Sequence, residues 1–98
     1  MAATKITFTC TCPQSVISVT VQSRTDPSCA DAFVFKNTAS GTKTMECSGG
    51  RHDVGYRALG TPGTDFALEV AKGGTMNPVS RTLPPDGRAA GNRELAVP

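Results

Sequence analysis

A chain of 98 residues with a formal net charge of +2 and 38% apolar residues has room for one domain and a modest core, and its balanced charge argues against the disordered class. No run approaches the ~20 apolar residues of a helical membrane span, so a soluble chain with no membrane partner is expected. Basic and acidic residues are interspersed and the aromatic share is 5%; phosphate neutralisation needs clustered cations and base stacking needs an aromatic face, so no nucleic-acid partner is expected.

In chain order the dominant period is two. Ile6, Phe8, Cys10 and Cys12 alternate with Thr7, Thr9 and Thr11, the pattern of a half-buried strand with its threonines outward. Pro13 lacks an amide hydrogen and is expected to end that ladder. A second strand is expected over residues 15 to 23, with Ile17, Val19 and Val21 inward, and a third over residues 32 to 37, with Phe33 and Phe35 on one face. Between them, Arg24 to Ser28 reads as a polar connection that delivers Cys29.

Asn37 to Gly41 carries hairpin-turn residues, and residues 42 to 47 alternate again with Met45 and Cys47 on one side and Lys43 at the rim. Ser48 to Asp53 reads as a solvated loop, and residues 54 to 59 as a short strand. Residues 64 to 72 place Phe66, Leu68 and Val70 in alternation, which favours a strand over a short helix capped by Asp65. Residues 75 to 98 form a Pro/Gly-rich C-terminal extension, with strands expected at 79 to 83 and 93 to 97 around a Pro84-Pro85-Asp86-Gly87 turn. So core-poor a segment needs a surface to lie on, either its own domain or a partner subunit in a homodimer. Turn signals at short, regular spacing predict a single all-β domain over residues 1 to 98, a small antiparallel β-barrel or β-sandwich of about six to eight short strands.

Cys10, Cys12, Cys29 and Cys47 are an even set in a short chain and read as a disulfide framework, which places the protein in an oxidising compartment. Secretion is therefore expected, with a leader ahead of Met1 in the natural precursor. Cys10 and Cys12 share one strand face, where a mutual bond is awkward, so each is expected to bond one of Cys29 and Cys47, in either assignment. Structural zinc sites are usually built on two-residue spacers, and the chain has none; no metal and no cofactor are expected.

No enzyme is expected. His52 is flanked by Asp53 with Ser48 nearby, but sequence neighbours diverge and cannot form the relay of a Ser-His-Asp triad. Asp65 and Glu69 could be paired carboxylates for sugar hydrolysis, but with no tryptophan and one tyrosine there is little to form a sugar platform, and an outward charged face is expected. What remains for function is surface. The loops holding Arg24, Asp26, Arg51, His52 and Asp53 are the expected partner-binding positions.

Over residues 4 to 72, the four cysteines Cys10, Cys12, Cys29 and Cys47 and the Thr-rich alternating strands resemble the small secreted cysteine-containing effector and elicitor proteins of filamentous fungi. That resemblance implies a non-enzymatic protein that recognises an extracellular protein or host-surface molecule. The alternative is a secreted inhibitor of a hydrolase, protease or amylase, presenting Arg24 or Arg51 to an acidic cleft.

Overall fold

The computed structural model describes residues 4–98, and among them every regular element is a strand: β1 (Thr4–Ser23), β2 (Ala30–Cys47), β3 (Gly50–Gly60), β4 (Asp65–Lys72), β5 (Thr75–Met76), β6 (Val79–Thr82) and β7 (Arg88–Val97). All pairings are antiparallel, in the order β5-β7-β3-β1-β4-β6 with β2 also on β1. The sheet curls into a half-barrel, the all-β class expected from the alternation.

The curl has a local cause. A straight strand the length of β1, 20 residues, would span about 66 Å at ~3.3 Å per residue, whereas the longest dimension of the molecule is 44 Å. β1 therefore bends, at register shifts between Cys10 and Cys12 and between Cys12 and Val16. Pro13 has no ladder hydrogen to lose there, and Gln14 takes a positive φ of 53°. β2 bends opposite it, where Asn37 has a φ of 40°. At Gly41 a side chain would collide with the Phe35 ring, 2.7 Å from where its Cβ would lie.

The corner corrects two expectations. Pro13 does not end a strand but interrupts one, because the same chain resumes pairing at Ser15 with β3 and at Val16 with β2. Asn37 to Gly41 is not a hairpin turn: residues 30–36 pair with the second half of β1 and residues 38–47 with its first half, so the chain changes layer without reversing. Thr7 to Thr11 pairs β4, and Ser15 to Ser23 pairs β3, so the two halves of one long hairpin seed two layers.

Between the layers lies the core. Ile6, Phe8, Cys10, Cys12, Ile17, Val19, Val21, Phe33 and Phe35 are all buried, as their parity requires. Phe8 packs on Phe33 at 5.3 Å between ring centroids, and Phe33 on Phe35 edge to face at 5.5 Å. Each such side chain removed from water contributes roughly 1.5–3 kcal/mol. Asp65–Lys72 is a strand, with Phe66 and Leu68 inward.

The C-terminal segment finds its cover within its own chain. β7 pairs β3 over ten residues and β5 over two, and Val79, Leu83, Leu95 and Val97 are buried. The Pro84–Gly87 turn closes with the Gly87 amide donating to the Pro84 carbonyl at 2.8 Å.

Candidate functional sites

On the outer face of β2, β1, β3 and β7 the register assembles rows of side chains. One row runs Lys36, Val16, Leu59, Arg88, and the next runs Val34, Ser18, Arg57, Ala90. Val16 is 37% exposed, Val34 51% and Leu59 57%, the exposed large apolar residues of the described chain. Scattered apolar residues are ordinary on a surface; a contiguous group on one face is not. An open depression of about 600 Å³ lies here, bordered by Val16, Arg57, Leu59, Arg88 and Ala89. A second hollow, about 340 Å³, continues it past Thr20, Gly55 and Asn92. Gly55 carries no side chain to fill the space between Thr20 and Asn92.

Charge divides this face. At one end Asp53 and Glu94 sit side by side in register, and both are neutralised: Arg24 reaches Asp53 at 2.7 Å and Glu94 at 2.9 Å, while Arg51 reaches Glu94 at 2.5 Å. The Arg24 guanidinium holds the Asp53 carboxyl below its usual range. At the other end, none of the ion pairs found among the described residues involves Lys36, Arg57 or Arg88. Three unneutralised cations therefore rim an aliphatic surface.

Of the positions expected to bind a partner, Arg24, Arg51 and Asp53 lie in the ion-pair cluster at one end of this face. Asp26 accepts from the Ser28 amide at 3.1 Å, the Ser28 hydroxyl at 2.6 Å and the Ser48 hydroxyl at 3.1 Å, bonds that lower its carboxyl from the usual range. These contacts shape a turn and leave little carboxylate free.

His52 is a correction. The expected loop ends at Gly49, β3 begins at Gly50, and the imidazole is wholly buried. Alternation held the signal: His52 has the parity of Val54, Tyr56 and Ala58, all inward. Its Nδ1 lies 3.2 Å from the Gly50 carbonyl oxygen and its Nε2 3.7 Å from the Cys29 sulfur. The sulfurs of Cys29 and Cys47 and a ring nitrogen of His52 all lie within 4.8 Å of one another.

All four cysteines are free thiols. The expected bonds from Cys10 and Cys12 to Cys29 and Cys47 do not fit the register, since Cys47 pairs Thr4 while Cys10 pairs Gly41, a separation of about 20 Å along the strand. The sulfurs instead form two neighbouring couples. Burial and the Cys12 thiol push the Cys10 thiol up; burial and Cys29 push the Cys47 thiol to about 12. Neither Cys10 nor Cys47 is thereby an activated nucleophile.

Comparison with protein-family models, with curated proteins and with solved structures yields no match for this chain.

Proposed function

We propose that this protein is a non-enzymatic recognition module, effector-like in acting through its surface, whose outer β2-β1-β3-β7 face binds an acidic, apolar segment of another polypeptide. The observation that carries the reading is the joint presence of exposed Val16, Val34 and Leu59 with Lys36, Arg57 and Arg88, cations that no carboxylate of the described chain neutralises. An aliphatic centre inside a charged rim is the anatomy of a protein–protein contact. Nucleic acid fits it less well, because the patch offers no ring for a base to stack on. A second copy of the same face fits less well too, since a two-fold contact would set these cations against one another.

The reading does not depend on compartment. The face is built by backbone register, and the thiols lie inside or at the far end of β2. An oxidised Cys29–Cys47 pair would suit an extracellular setting without altering it.

A short fluorescein-labelled peptide alternating aspartate and leucine provides the test. Its anisotropy should rise on adding the protein, and Leu59→Asp should weaken binding by about tenfold or more. Equal affinity for the Leu59→Asp variant, or no binding at low salt, overturns the assignment.

A further inference from the structure

We propose that Cys29, Cys47 and His52 form a binding site for one thiophilic divalent cation of the zinc type. The three donors come from separate places in the chain: Cys29 immediately before β2, Cys47 at its end, and His52 two residues past the start of β3. The curl of β2 brings its two ends together, so that residues 18 apart in sequence share one small space with a buried imidazole.

Three features fit metal better than packing. The first is spacing. Two ligands at ~2.3 Å (sulfur) and ~2.0–2.1 Å (nitrogen) from a tetrahedral zinc lie about 3.6 Å apart, and the Cys29 sulfur stands 3.7 Å from His52 Nε2. The second is the tautomer. A carbonyl oxygen only accepts, so the 3.2 Å contact with Gly50 places the ring proton on Nδ1, leaving Nε2 with a lone pair beside the Cys29 sulfur. Metal-ligating histidines are commonly held in this way, the second nitrogen donating to a backbone carbonyl. The third is charge: two thiolates and a neutral imidazole exactly cancel a dication, so the filled site buries no net charge.

Cys29 is only half-buried and follows a turn whose Pro27 and Ser28 are exposed, so the proposed site takes its fourth ligand from the solvent side, as three-ligand zinc sites do. On binding, each thiol loses its proton to solvent and the imidazole none, so one cation displaces two protons and no electron is transferred. The Cys10–Cys12 couple has no imidazole beside it among these groupings and provides a control within the same chain.

The experiment titrates cobalt(II) into the reduced, metal-free full chain. One equivalent should give the ligand-field absorption of a tetrahedral ion together with thiolate-to-cobalt charge transfer, and zinc should bleach both. Cys29→Ser, at a half-exposed position, should weaken cobalt binding by about 100-fold or more, whereas Cys12→Ala should leave it unchanged. His52→Gln should do the same as Cys29→Ser; if that buried variant fails to fold, Cys29→Ser decides. Absence of the tetrahedral spectrum in folded, reduced protein overturns the proposal, as does a spectrum that survives Cys29→Ser. So does a Cys29–Cys47 disulfide that forms in air at the same rate with and without zinc.

Discussion

The Asn37 side-chain oxygen accepts the Gln14 amide hydrogen at 2.9 Å, joining the two non-glycine residues of the described chain that hold positive φ. One residue belongs to β1 and the other to β2, so this bond pins both bends of the long hairpin at the same level. Asparagine tolerates the left-handed region better than most residues, and its short amide reaches the neighbouring backbone.

Asn37→Ala should therefore destabilise the fold by about 1–3 kcal/mol, from a stranded amide and a strained backbone together. Asn37→Gly relieves the strain and loses only the bond, so it should cost less. Urea unfolding midpoints of the two variants check the order.

Leu95 tests whether the C-terminal segment is part of the core. It is fully buried on β7 and lies opposite His52 on β3 and Met76 on β5. Leu95→Ala should lower stability by about 2–5 kcal/mol, and removal of β7 should abolish cooperative unfolding. An extension merely laid on a finished domain would show neither effect.

Acid stability should depend on Asp26 and Asp53 in different ways. Both carboxyls are lowered in the folded chain, Asp26 by hydrogen bonds from Ser28 and Ser48, Asp53 by Arg24. A lowered folded value means the stabilisation is complete above the ordinary carboxylate pKa of ~4 and is lost as pH falls through the folded value. Asp26→Asn and Asp53→Asn should each flatten the loss of stability below pH ~4. High salt should mimic Asp53→Asn more than Asp26→Asn, because the exposed ion pair is screened and the short hydrogen bonds are not. Thermal melts across acid pH at two ionic strengths measure both.

Much of the interior was legible from parity alone. Ile6, Phe8, Cys10, Cys12, Ile17, Val19 and Val21 recur at every second position within their segments, as do Phe33 and Phe35 on either side of the outward Val34, and the sheet buries each of them except Val34. The corner was not legible, since Pro13, Asn37 and Gly41 supply the same backbone freedom to a bend as to a hairpin; only the pairing of both β2 halves with β1 separates the two. His52 was hidden by the Gly49-Gly50 pair before it, which reads as a loop although Gly50 already opens a strand. The outer patch had no sequence signal: Val16, Val34 and Leu59 are far apart along the chain and become neighbours through register.

Charge at that patch should govern the strength of partner binding. Arg57→Glu places an anion in the row with Val34, Ser18 and Ala90 and should weaken the aspartate–leucine peptide by about tenfold at low salt, with a smaller difference at high salt. Because Arg57 makes no ion pair among the described residues, its thermal stability should change little.

The most direct measurement is a map of backbone amide chemical shifts of the protein as the peptide is added. The account predicts that perturbed amides concentrate at Val16, Ser18, Val34, Lys36, Arg57, Leu59 and Arg88, on four strands joined only by register. Perturbations gathered instead at Arg24 to Ser28 and Ser48 to Asp53, with the outer face silent, would contradict it.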